Sequence, residues 1–240
     1  MSLARHAIVT GGTRGIGFAI AKAMVAGGCR VMITGRDKRR ITEAVSRLGS
    51  SAANGGSIEG RVADVRDRAA VERAILDAAA SFESLDTLVN NAGVGAFGPV
   101  TDLSDADWHS VLDTNLTGVF YATRAAIPLM KQAGGGWIIN IASLAGRNSF
   151  PGGAAYCASK AGLVAFSESL MQEVRFDNIR VSVVMPGSVN TEFSRAPADT
   201  DASWKLSPDD VAAVVMDLLR SPARSLPSKV EIRPSRPQKS

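Results

Sequence analysis

Tyr156 and Lys160 stand four residues apart in the segment Tyr156-Cys-Ala-Ser-Lys160. On a helix that spacing places both side chains on one face. An ammonium beside a phenol favours the phenolate, so the pair predicts a Tyr156 pKa below the reference value of about 10. A phenol tuned in this way can exchange a proton near neutral pH. Tyr-x-x-x-Lys spacing also arises by chance on any helix, so its setting matters. Ser143 lies thirteen residues upstream, at the end of an apolar run.

A second set of residues could hold a nucleotide. Thr10-Gly-Gly-Thr-Arg-Gly-Ile-Gly17 follows an apolar run and opens a helical pattern. Glycines at 11, 15 and 17 let the backbone turn tightly and approach a pyrophosphate, whose charge the opening N–H groups of the helix stabilise. The spacing is G-x-x-x-G-x-G rather than the commoner G-x-G-x-x-G. About 20 residues further on, a dinucleotide site that binds NAD places an acid for the ribose 2′-hydroxyl. Here that position carries Gly35, followed by Arg36, and Arg14 projects from the glycine turn. Two guanidiniums suit a 2′-phosphate, which predicts NADP(H). The alternative is NAD(H), with Asp37 as the ribose ligand in a shifted register.

Such groups need a frame that brings strand ends together. Apolar, β-branched runs at 6–10, 30–34, 57–62, 87–90, 137–141, 179–185 and 229–232 alternate with helical patterns near 15–27, 37–48, 67–82, 105–132, 154–176 and 208–219. Ser104 and Ser207 are placed to cap two of these helices, the second with Pro208 at its first position. The alternation predicts one α/β domain over 1–240, a doubly wound Rossmann fold with a mainly parallel seven-stranded sheet and helices on both faces. Parallel sheets bind ligands at the carboxyl ends of their strands. The glycine turn, Asn90-Asn-Ala-Gly93, Ser143 and Pro186-Gly187 all fall there.

Composition narrows the function classes. The chain has 240 residues, is 45% hydrophobic and carries a net charge of +4. All of that excess lies in 221–240, where Arg224, Lys229, Arg233, Arg236 and Lys239 face only Glu231. The charge therefore forms no stripe for a phosphate backbone, and no nucleic-acid partner is expected. No apolar run is long enough for a membrane span. The first residues enter the fold without a secretory pattern, and the only cysteines are Cys29 and Cys157. These features predict a cytoplasmic protein without disulfides. Two distant histidines, His6 and His109, predict no metal site.

The ordered motifs resemble the short-chain dehydrogenase/reductase family over nearly the whole chain. They comprise T-G-x-x-x-G-x-G at 10–17, Asp64-Val65, N-N-A-G at 90–93, Asn115, Ser143, Y-x-x-x-K at 156–160 and P-G-x-V-x-T at 186–191. The resemblance implies hydride transfer between a nicotinamide and a secondary alcohol or ketone. It implies that Tyr156 is the general acid or base, that Lys160 lowers its pKa and holds the nicotinamide ribose, and that Ser143 binds the substrate oxygen. Asn115 would hold a water in the proton path. The cofactor would meet Gly11, Thr13, Arg14, Gly15, Ile16 and Gly17 at the turn, and Gly35 and Arg36 at the second strand. Asp64 and Val65 would meet the adenine, and Asn91, Ala92 and Gly93 would line the cleft with Pro186, Gly187, Val189 and Thr191.

Two departures bear on substrate. Ser182 stands where ketoacyl reductases of the family carry Asn, and the chain ends Lys229-Val-Glu-Ile-Arg-Pro234 without their aspartate-glycine-glycine segment. Both look more like the branch that handles small hydroxy acids and ketones than one acting on acyl-carrier-protein or acyl-CoA thioesters. Residues 192–206 are expected to form a substrate lid and 234–240 a flexible basic tail. Asp64 could instead cap the helix near 67. The long helices 105–132 and 154–176 would pair between subunits of a homodimer or homotetramer. A reading of another class, a non-catalytic NADP(H) sensor, would require the loss of a catalytic side chain, and all four are present.

Overall fold

The computed structural model describes residues 5–193 and 202–236. Seven strands, β1 (His6–Val9), β2 (Arg30–Gly35), β3 (Ser57–Val62), β4 (Thr87–Asn90), β5 (Gly136–Ile141), β6 (Ile179–Pro186) and β7 (Lys229–Ile232), form one sheet in the order β3-β2-β1-β4-β5-β6-β7. Every neighbouring pair is parallel. The central strands are predominantly apolar because helices cover both faces. The edge strands β3 and β7 are only partly buried, which is why they carry Glu59, Arg61, Lys229 and Glu231.

Side chains alternate between two cores, as the strand period of two demands. Ala7, Val9, Val31 and Ile33 face one layer with Ile20 and Met24 of α1 (Gly15–Ala26) and Val211 and Val215 of α7 (Pro208–Arg220). On the same side runs α2 (Lys38–Gly49). Ile8, Met32, Leu88 and Ile138 face the other layer. There they meet α3 (Arg68–Phe82), α5 (Gly118–Gln132) and α6 (Ala154–Val174) through Ala74, Ala126, Met130 and Leu170.

The predicted helix over 105–132 is interrupted. α4 (Asp105–Leu112) passes into α5 through a π-helical turn, Asp113–Thr117. Such turns redirect a side chain without ending the helix, and this one carries Asn115. Ser104 and Ser207 cap α4 and α7 as expected, the latter in a full capping box with Asp210. Asp64 is not a cap: Asp67 accepts the hydrogen bonds from Ala69 and Ala70 that open α3, and Asp64 pairs with Arg66 at 2.6 Å.

Polar groups inside the sheet hold the frame in register. Asn90 donates to Asn140 at 2.8 Å, and Asn140 donates to Ser167 on α6 at 2.8 Å. Ser182 accepts from the Trp137 indole at 3.0 Å and donates to the Pro227 carbonyl at 2.9 Å. That is a packing role in mid-sheet. The first residue of the tail expected over 234–240 is described. Pro234 lies so close to Gly187 that a Cβ there would come within 3.1 Å of its ring. Residues 237–240 of the expected tail and 194–201 of the expected lid lie outside the described residues.

Candidate active site

Strand order reverses between β1 and β4, and a crevice opens there at the carboxyl ends. It widens into a cleft of about 1340 Å³. Every site residue predicted from the sequence lines it except Gly17 and Asn115, which sit directly behind its wall.

At one end lies the glycine turn. Gly11 has φ +65°, and a Cβ on it would meet the Ala92 backbone at 2.9 Å. A Cβ on Gly17 would fall 2.3 Å from the Asn91 amide. Asn91 braces the turn, donating to the carbonyls of Thr10 and Gly11 at 3.0 and 3.1 Å. The N–H groups of Asn91 and Ala92 both donate to the Thr10 hydroxyl. The N-terminus of α1 has no side-chain cap and no acid in its first turn, whereas Asp37, Asp67, Ser104 and Ser207 cap α2, α3, α4 and α7. Unanswered N–H groups facing a cleft suit an anion.

Beyond β2, Gly35 is demanded by packing as well as by charge: a Cβ there would lie 2.9 Å from the Thr13 methyl. The competing acid, Asp37, accepts from the Arg40 backbone at 3.1 Å, and that bond holds its carboxyl below the usual range. Arg36 lines the cleft, and so does Arg40, which sequence reading missed although it follows one helical turn behind. Arg14 also lines the cleft. Its guanidinium pairs with Glu192 at 2.9 Å, across the cleft mouth.

At the other end, α6 presents Tyr156 and Lys160 together. The Lys160 ammonium is buried, donates to the Ile141 carbonyl at 2.9 Å and lies 5.9 Å from the Tyr156 ring centroid. Burial pulls its pKa from 10.5 down to about 8. Tyr156 departs from expectation: burial raises its pKa, and the neighbouring Ser143 hydroxyl only opposes that. Ser143 also accepts from Ala145 N–H at 3.1 Å.

Asn115 is pinned at both ends of its amide. Its Oδ1 accepts from Val94 N–H at 2.8 Å, and its Nδ2 donates to the Val94 carbonyl at 2.9 Å and to Ser159 at 3.0 Å. Ser159 in turn donates to the Tyr156 carbonyl at 2.8 Å. Ser159, unnoticed in the sequence, thus ties the π-turn to α6. The bare Gly93 keeps the region open, since a Cβ there would lie 3.4 Å from Asn115 Oδ1 and 3.7 Å from Lys160 Nζ.

Residues 5–202 match the short chain dehydrogenase family model. The chain belongs to that family. Sulfoacetaldehyde reductase 2 of Chromohalobacter salexigens is 34% identical over 240 residues, covering 95% of this chain and 94% of the relative. A 3-oxoacyl-(acyl-carrier-protein) reductase of Salmonella typhimurium is 38% identical over 193 residues, covering 80% and 77%. A metagenomic short-chain oxidoreductase solved in complex with NADP superposes with a TM-score of 0.85 at 36% identity, over 99% of this chain and 100% of that one. As a short chain dehydrogenase, the protein is an oxidoreductase, and no described helix is long and apolar enough to cross a membrane.

Proposed function

We propose that this short chain dehydrogenase transfers a hydride between NADP(H) and a secondary alcohol or ketone. The observation that carries the reading is the placement of Tyr156 with Ser143 and Lys160 at one end of a single cleft, with Arg36 and Arg40 at the other. The metagenomic relative solved with NADP supports the same cofactor.

The uncapped start of α1 and the close-set glycines 11 and 17 fit a pyrophosphate, and Arg36 fits a 2′-phosphate. Asp64 and Val65 would flank the adenine, and Val189 and Thr191 the carboxamide. NADPH supplies the hydride when bound. Ser143 donates a hydrogen bond to the carbonyl oxygen, and Tyr156 delivers a proton to that oxygen as negative charge develops on it. Burial keeps the phenol protonated at neutral pH, which is the form a proton donor requires. Lys160, still largely a cation at pH 7, eases the loss of that proton and holds the ribose. Asn115, behind Lys160, is assigned to the proton path.

The identity to a 3-oxoacyl-(acyl-carrier-protein) reductase over 193 residues favours a second reading, in which the ketone belongs to an acyl thioester. We also propose a cytoplasmic homotetramer or homodimer. Ketone-dependent loss of NADPH absorbance in the purified protein tests the reaction. Absence of turnover with any ketone or thioester, while NADPH binds, would refute it.

A further inference from the structure

We propose that the ketone carries an aromatic substituent, and that Phe97, Phe150 and Phe193 select it. The inference rests on the hydride-transfer reading above and narrows its substrate class. The Tyr156 ring is flanked by Phe97 and Phe193, each with its centroid 5.6 Å away and tilted by 60° and 53°. Phe150 continues the wall, 6.1 Å from Phe97 at an interplanar angle of 29°. These are the separations and tilts at which aromatic rings attract one another, so a further ring inserted beside Tyr156 meets the same geometry.

The wall is seated by design of the sequence. A Cβ on Gly95 would come within 2.7 Å of the Phe97 ring and 3.2 Å of the Phe193 ring, and one on Gly153 within 2.6 Å of Phe150. Bare glycines therefore let all three rings settle where they are. Although packed together, the rings remain 51%, 44% and 39% exposed. All three line the cleft, so apolar area faces the space where the substituents of a carbonyl held by Ser143 and Tyr156 must lie. Burying that area against an apolar ligand is favourable.

A small carboxylate or sulfonate would fare worse there. Of the cations lining this side, Arg233 is already paired with Glu231, which also holds Arg147. Lys205 lies with its ammonium 5.5 Å from the Trp204 ring centroid. Arg14 is held by Glu192, and Lys160 lies buried beneath Tyr156. An anionic substituent would lose its hydration and face phenylalanine rings.

The test compares acetophenone, butan-2-one, pyruvate and acetoacetyl-CoA at saturating NADPH. The expected order has acetophenone first, with kcat/KM about tenfold or more above butan-2-one and further above pyruvate. Phe97→Ala and Phe150→Ala should each raise the KM for acetophenone about tenfold, with a smaller change in kcat. A binding measurement stands apart from turnover: calorimetry should detect 1-phenylethanol binding to Tyr156→Phe loaded with NADP⁺, weakened about tenfold by adding Phe97→Ala. A higher kcat/KM for pyruvate or acetoacetyl-CoA, or no detectable 1-phenylethanol binding, would overturn the proposal. Unchanged turnover in Tyr156→Phe would instead sink the reaction reading and leave the ring selectivity to be judged by calorimetry.

Discussion

Replacing Lys160 by methionine should abolish activity and yet stabilise the cofactor-free protein. The ammonium is buried among α6, β5 and the Asn115 turn, and its pKa falls from 10.5 to about 8. At 1.36 kcal/mol per unit, that drop corresponds to roughly 3 kcal/mol of destabilisation at neutral pH. The variant also loses the hydrogen bond to Ile141, which offsets about 1 kcal/mol. A net gain of about 2 kcal/mol remains, or about 4–8 °C in Tm for a domain of this size. Methionine matches the length of the lysine stem and fills the same space. The effect depends on pH in a fixed direction. Below about pH 8 both folded and unfolded lysine are charged, and the penalty is complete. Between about 8 and 10.5 the folded protein loses the proton while the unfolded chain keeps it, so the unmutated protein gains stability as pH rises. The advantage of Lys160→Met should therefore shrink from pH 8 to 10.5. Urea unfolding of both proteins at pH 7 and pH 10 measures it. A variant less stable at pH 7, or a gap that does not narrow with pH, would refute the burial argument. Turnover and NADPH affinity should fall together, because both roles proposed for the ammonium disappear.

Other consequences are as direct. Arg36→Ala should weaken NADPH at least about tenfold, roughly 1.4 kcal/mol, and barely change NADH; equal affinities for the two cofactors in the unmutated protein would contradict the 2′-phosphate assignment. Ser143→Ala should lower kcat with little effect on NADPH affinity by fluorescence titration, and a matching loss of cofactor binding would argue against its assignment to the substrate oxygen. Trp108, Phe120 and Phe176 on and beside α4, α5 and α6 are exposed, which fits burial between subunits. Light scattering should return a dimer or tetramer mass, and a monomer at micromolar concentration would oppose that.

The strand–helix alternation was legible because each central strand is covered on both faces and reads as an apolar run. β3, β4 and β7 carry the same bounds in sequence and structure, since turns and charged residues bracket them sharply. The π-turn at Asp113–Thr117 was not legible. Its residues fit a continuous helix, and only packing against Val94 and Ser159 turns Asn115 inward. Spacing placed Lys160 beside Tyr156 but carried no information on burial, and burial decides both pKa shifts. The ion pair of Arg14 with Glu192 was not legible, because Glu192 lies far along the chain and no local pattern connects the two. Phe97 and Phe150 lie in loops without periodicity, so no local pattern signalled their packing against each other beside Tyr156.

The central claim is that Tyr156 is the proton donor, and one substitution isolates it. Tyr156→Phe keeps the ring between Phe97 and Phe193 and removes the only transferable proton it carries. The variant should fold, with an unchanged circular dichroism spectrum, and should bind NADPH. Single-turnover reduction of a ketone that the unmutated enzyme accepts should slow by about 10²- to 10⁴-fold, the range of a general acid. A folded, NADPH-binding Tyr156→Phe protein that reduces the ketone at nearly the original rate would contradict the account.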